Sequence, residues 1–467
     1  MNVIFVHGYS ETSLGSYFDF PQRLEAAMPA VTGIVLSAFN SLDDTVTIDD
    51  LADAMEDRVR ALGPALTAPP WAVICHSTGA LVARRWMLNR LANGAPIPTH
   101  LITMAGANHG STLAQMGKSV LVYVQKLFSK QSPTVGANVL TDLDYGSDFL
   151  LKLNAEWMSR WNDGSLDGLY AFSAGGDSVG NDPTLDIFWE THEPGSDNTV
   201  RISGANLNYT LINVNHGPGG PQPVAVVPVR PAPHLVLSGY SHFGPATGIL
   251  GLVKPGGDTA VNAVVQALSV GSSADYAAVA ADWSAQTAAW SATAQAAHVA
   301  GGPSNVNSTL VFAMHDESGR SIGDCILAIL DQQRLGVPGN AVDPRGTANL
   351  VAAANAVSGA ILSHSPIQNN VQQGSYSFYL DYNAYLTTSP HWFHVDAMLA
   401  GQIISFLPLT FTQPPELAHA IRPNEFTYVD LTMKRDVDSS YALYRYGPSL
   451  NLPGTTWMPF PGPGRIS

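Results

Sequence analysis

The stretch that most constrains this chain is residues 71–86, WAVICHSTGALVARRW. An apolar run through Cys75 leads into His76-Ser77-Thr78-Gly79, and a helical pattern carrying Leu81 and Val82 follows. A buried strand that breaks into a helix with a serine at the bend has few uses other than to present that hydroxyl. The bend forces Ser77 into a strained backbone conformation and lifts its side chain clear of the sheet. Such a turn admits only small residues two positions either side of the serine. Gly79 meets that demand, and Cys75 stands where a glycine is usual. Read without chemistry, the same stretch is a strand followed by a helix with Ser77 as its cap.

The neighbouring segments repeat the strand–helix alternation. Val3-Ile4-Phe5-Val6 is an unbroken apolar run, as a strand covered on both faces requires. It ends in His7-Gly8-Tyr9-Ser10, where Gly8 frees the turn. A strand is expected at residues 34–38. A helix is expected at residues 47–62, with Ile48, Leu51, Met55, Val59 and Leu62 on one face and Thr47 with Asp50 as a capping box. Another strand is expected at residues 100–105. Alternation of this kind predicts an α/β fold, a parallel sheet with helices on both faces.

Three segments, HGYS, CHSTGALVAR and MAGANHGST, resemble the lipase and esterase branch of the α/β-hydrolases. Within that branch they are similar to the bacterial triacylglycerol lipases and to the deacylases of lipid-anchored or phospholipid esters. The resemblance covers about the first 250 residues. It implies an ester hydrolase of the serine type, with a Ser…Asp…His triad in that chain order. Ser77 would be the nucleophile. The backbone N–H groups of Tyr9 and Thr78 would form the oxyanion hole. His7, Gly8, His76 and His109 would line the pocket. His109, in Asn108-His109-Gly110-Ser111, precedes every plausible acid, so it is expected to be structural or pocket-lining and not the base.

Two aspartates compete for the acid. Asp177 follows an expected strand at residues 169–172. Asp197 lies in GSDNTVRISGANL, which is similar to the acid-bearing stretch of bacterial lipases and is the preferred choice. The base should follow the last strand of the sheet. His242, in GYSHFG after the apolar run 234–237, fits that place. His216 lies in a Gly/Pro-rich stretch and is expected to be a loop residue.

The domain expectation is a hydrolase unit over residues 1–270, with a helical insertion at 111–163 that could act as a lid. An alanine-rich helical connector spans 271–304, with Tyr276, Trp283 and Trp290 seven residues apart as a packing stripe. Short alternating runs separated by turn residues then predict an antiparallel β-sandwich over 305–467. His391 and His394, beside Trp392 and Phe393, are expected to be ordinary strand residues, since metal binding needs more ligands at matched spacing.

A net charge of −15 over 467 residues argues against nucleic acid and against anionic membrane surfaces as partners. Two distant cysteines make neither a disulfide framework nor a zinc pattern. No cofactor or metal is called for. No run is apolar enough to span a bilayer, and the chain opens directly on a strand, which suits a cytoplasmic protein or one whose leader has been removed. The expected partner is a small-molecule or lipid ester, with self-association through the C-terminal region left open. A thioesterase or acyltransferase could use the same triad, and a non-catalytic lipid or carbohydrate binder could keep the same fold.

Overall fold

The computed structural model of the chain describes residues 1–9, 14–115, 134–178, 193–217, 220–228, 232–254, 257–331, 357–363, 367–387, 391–397, 404–406, 409–412 and 420–437. The strands β1 (Asn2–Val6), β2 (Gly33–Leu36), β3 (Trp71–His76), β4 (His100–Met104), β5 (Tyr170–Gly176) and β8 (His234–Leu237) form one sheet in the order β2-β1-β3-β4-β5-β8. Every pairing in it is parallel. Helices α2 (Ile48–Leu62), α3 (Gly79–Ala92), α4 (Ala137–Leu143) and α5 (Asp148–Asn162) share one apolar core with one face of the sheet. Helices α1 (Phe20–Ala27), α6 (Thr259–Leu268) and α7 (Ser273–Val299) share a second core with the other face. All six residues of β3 are buried, which explains its unbroken apolar sequence. The capping box at the head of α2 is present: the Thr47 side chain accepts from the Asp50 N–H, and the Asp50 carboxylate accepts from the Thr47 N–H.

The alanine-rich helix α7 lies on the sheet as part of this unit. Trp283 is fully buried against Phe172, and the Tyr276 hydroxyl donates to the Ala171 carbonyl at 2.9 Å. Trp290 Nε1 donates to Asp177 Oδ2 at 2.7 Å. Of the helical insertion expected at 111–163, residues 116–133 lie outside the described residues.

The remaining strands are β6 (Tyr209–Gly217), β7 (Gly220–Pro228), β9 (Asn307–Asp316), β10 (Cys325–Asp331), β11 (Ile367–Gln368), β12 (Ser375–Asp381), β13 (His391–Ala397), β14 (Ile404–Phe406), β15 (Leu409–Thr412), β16 (Phe426–Met433) and β17 (Arg435–Val437). Six of them make a second sheet in the order β11-β12-β9-β16-β6-β7, and β10-β13-β15 make a third. Apolar residues of the second and third sheets meet in one core, Phe312, Phe378, Leu327, Phe393 and Val429 among them. His391 and His394 both fall on β13.

Two features depart from the expectation. The second sheet is mixed, because β16 runs parallel to both β6 and β9 while its other pairs are antiparallel. It also takes the β6–β7 hairpin from between β5 and β8, so the sheet is not confined to residues 305–467. His216 accordingly lies within β6, next to its last residue, and not in a loop. The hairpin ties the two sheet systems together. Residues 427, 429, 431 and 433 of β16 point into the sandwich core. Phe426 and Tyr428, on the opposite face, pack on Tyr145 and on Met158 of α5.

Candidate active site

At the C-terminal end of β3, Ser77 has φ +55°, the left-handed conformation that a side-chain-bearing residue adopts only under constraint. The constraint comes from crowding on both sides. A Cβ on Gly79 would lie 2.4 Å from the Val6 carbonyl oxygen, and one on Gly8 would lie 2.6 Å from Ser77 Cβ. Gly8 is therefore required for close approach, and not for the turning freedom expected of it. Helix α3 starts two residues past Ser77, so the positive end of its dipole faces the serine.

His242 follows β8, and its Nε2 lies 2.8 Å from Ser77 Oγ. Its Nδ1 lies 2.8 Å from Asp197 Oδ2. The Asp197 backbone carbonyl also accepts from the His242 N–H at 2.9 Å, so the two loops are joined twice. The other carboxylate oxygen, Oδ1, accepts from the N–H groups of Thr199 at 3.1 Å and Val200 at 2.7 Å. Those two donors hold the carboxylate plane. Ser77, Asp197 and His242 are 7%, 1% and 3% exposed, so the relay is screened from water.

Asp177, the alternative acid, is engaged elsewhere. It accepts from Ser238 Oγ at 3.0 Å, from the Gly239 N–H at 2.5 Å and from Trp290. It orders the loop that leads to His242 and pins it to α7.

The histidines around the site have separate places. His7 Nε2 accepts from the Phe39 N–H at 2.9 Å, so its Nδ1 carries the proton and donates to the Gly8 carbonyl at 2.8 Å. Carbonyl and N–H of one trans peptide point in opposite directions, so anchoring the Gly8 carbonyl also aims the Tyr9 N–H. The Tyr9 hydroxyl is tied to the Val135 carbonyl. His76 donates from Nε2 to the His242 carbonyl at 3.0 Å. Burial, helped by the neighbouring His242, depresses its pKa to about 3, so it is neutral at ordinary pH.

His109 sits where the two sheet systems meet. It is fully buried, stacked on Phe426 with ring centres 4.6 Å apart. Tyr428 donates to its Nδ1 at 3.0 Å, and its Nε2 donates to the Asn206 carbonyl at 3.0 Å. Both ring nitrogens are used where the two sheet systems meet, and burial holds the ring neutral. A second serine–histidine contact, Ser173 Oγ to His234 Nδ1 at 2.9 Å, is enclosed in the sheet, and His234 Nε2 has no hydrogen-bond partner among the described residues.

The fold is that of the α/β-hydrolases, and a serine, a histidine and an aspartate are hydrogen-bonded in series at the head of its sheet. No protein-family model matches the sequence, and no curated protein matches it significantly. Among solved structures, the chain is similar to the phospholipase PlaB from Legionella pneumophila, at 27% identity and TM-score 0.80, over 96% of each chain. The same phospholipase in complex with thio-NAD aligns with TM-score 0.79 over 96% of this chain and 97% of that one, again at 27% identity. The mature Bacillus licheniformis lipase BlEst2 shares 14% identity over 52% of this chain and 84% of that one, with TM-score 0.35. No helix among the described residues is long and apolar enough to cross a membrane.

Proposed function

We propose that the chain hydrolyses carboxylic esters of acyl lipids, phospholipids foremost, through a covalent acyl-enzyme. Ser77 Oγ attacks the acyl carbon while His242 Nε2 takes its proton. The imidazolium then protonates the departing alkoxide, and the alcohol leaves. Water attacks the acyl-enzyme with His242 again as base, which releases the fatty acid and restores Ser77. Asp197 keeps the proton on Nδ1 and stabilises the imidazolium. The amides of Tyr9 and Thr78 hold the oxyanion, where losing one donor typically costs about 3 kcal/mol of barrier. The observation that carries this reading is the unbroken 2.8 Å, 2.8 Å relay from Ser77 through His242 to Asp197. Similarity to a phospholipase over nearly the whole chain supports the choice of substrate class.

The test is labelling by a fluorophosphonate, followed by fatty-acid release from phosphatidylcholine vesicles and from p-nitrophenyl esters of increasing chain length. The parent should label and release fatty acid, and Ser77→Ala should do neither while melting at the parental temperature. Labelling of Ser77→Ala at the parental rate would remove Ser77 as nucleophile. Turnover of short esters with no phospholipid cleavage would overturn the substrate class and leave the nucleophile standing.

A further inference from the structure

The loop that carries Asp197 is built largely by residues outside the parallel sheet. Residues 193–201 form a closed arch. Arg201 Nε and Nη2 donate to the two Glu193 oxygens, each at 2.8 Å, which clasps the ends of the arch together. The guanidinium is completely buried and lies over the ring of Tyr379 at 4.0 Å and that of Tyr145 at 4.7 Å. Burial opposes its charge, but Glu193 together with Tyr145 and Tyr379 outweighs this, so the clasp remains ionic. Thr112 Oγ1 adds a bond to Glu193 at 3.1 Å.

The second sheet then grips the arch from outside. The Tyr379 hydroxyl, on β12, donates to the Pro194 carbonyl. Asn307 Nδ2, on β9, donates to the same carbonyl at 2.9 Å and to the Tyr379 hydroxyl at 2.9 Å. Asn305 Oδ1, just ahead of β9, accepts from the Gly195 N–H at 3.0 Å. The fit is tight enough that a Cβ on Gly195 would lie 2.6 Å from Asn307 Nδ2. Two residues past Gly195 stands Asp197, whose carboxylate plane sets the tautomer of His242. None of these contacts is needed to build the parallel sheet, which is complete without them.

We infer that the second sheet governs turnover by holding the acid's arch, with Tyr379, Asn305 and Asn307 as positioning residues acting through Asp197. The sheet thereby becomes part of the catalytic apparatus without touching the substrate. The inference rests on the reading of Asp197 as the acid, and the experiment separates the two.

The experiment is a double-mutant cycle on the full chain. Tyr379→Phe keeps the ring beneath Arg201 and removes only the bond to the arch. It should lower kcat roughly ten-fold, the size of one ordinary buried hydrogen bond, with KM and melting temperature near parental values. Asn305→Ala should act in the same direction, and Asn305→Asp, which keeps the acceptor, should recover most of the loss. In the Asp197→Asn background both effects should vanish, because a residue that acts only through Asp197 has nothing left to position. If Tyr379→Phe and Asn305→Ala both leave kcat unchanged, or lower it equally with and without Asp197, the inference is wrong. If Asp197→Asn itself retains parental kcat, the acid assignment fails first. Should Tyr379→Phe fail to fold, the Asn305 pair at the arch margin decides alone.

Discussion

Asp197→Asn is the perturbation whose cost can be worked out atom by atom. The two carboxylate oxygens have different duties, Oδ1 towards the N–H groups of Thr199 and Val200 and Oδ2 towards His242 Nδ1. An amide here must keep its oxygen at the Oδ1 position. Turned over, its NH2 would face two N–H donors and forfeit two hydrogen bonds, about 2–3 kcal/mol. The NH2 therefore faces His242 Nδ1, which can then only accept. The ring proton moves to Nε2 and donates to Ser77 Oγ, so the lone pair that should receive the serine proton is gone. Restoring the productive tautomer costs those same 2–3 kcal/mol, roughly a hundred-fold in population. Loss of the carboxylate beside the imidazolium removes a charge-assisted bond worth a further ~2–3 kcal/mol. Together these predict a fall in kcat of about 10³–10⁴ with substrate binding unchanged. Steady-state hydrolysis of a p-nitrophenyl ester, beside a thermal melt, measures it. Asp177→Asn is the matched control and should stay within about ten-fold of the parent, since its carboxylate binds Ser238, Gly239 and Trp290. An Asp197→Asn variant that folds and turns over within about ten-fold of the parent would refute the reasoning, as would a larger loss at Asp177.

Two further outcomes can be checked. Gly8→Ala should lower kcat/KM roughly a hundred-fold and cost about 1–3 kcal/mol of stability, because the new methyl would sit 2.6 Å from Ser77 Cβ and must displace the nucleophile; parental kinetics would show that the turn has slack. Glu425 is half-buried, and burial raises its carboxyl to about 7, with Arg422 offsetting only part of the effect. A raised folded pKa means that folding takes up a proton, so this group lowers stability as pH rises from about 4.5 to about 7, and its full penalty applies above that. Glu425→Gln should therefore raise the melting temperature at pH 8, by the equivalent of about 1–3 kcal/mol, and leave it nearly unchanged at pH 4; equal gains at both pH values would contradict the assignment.

Local features of the chain were legible in its sequence wherever the physics is local. The apolar run of β3 suits burial on both faces, and Gly79 beside Ser77 suits a tight bend, where a larger side chain would collide with the neighbouring strand. The capping box at Thr47 and the helical face behind it follow from neighbours three and four residues apart. Triad order pointed to His242 and the likeness of residues 195–207 to an acid-bearing stretch pointed to Asp197, both properties of the resemblance, and the structure places Asp197, His242 and Ser77 in series through 2.8 Å contacts. What only the tertiary structure decided is how distant segments meet. A strand's sequence states its period, and not its partner or its direction, so the β6–β7 hairpin gave no sign that it would leave the first sheet for the second. His109 could be read from its neighbours only as structural or pocket-lining. Its place is set by Tyr428, more than three hundred residues later, and by Asn206. Gly8 could be seen to be a glycine for a reason, but the reason proved to be the nearness of Ser77 and not its own dihedral angle. The arch of Asp197 shows the same limit. Its carboxylate is in the chain for anyone to read, while the residues that hold its arch come from β9, the turn just ahead of it and β12, across more than a hundred residues of chain. Hydrogen bonds of that span depend on where folding delivers each backbone group, which local sequence does not encode.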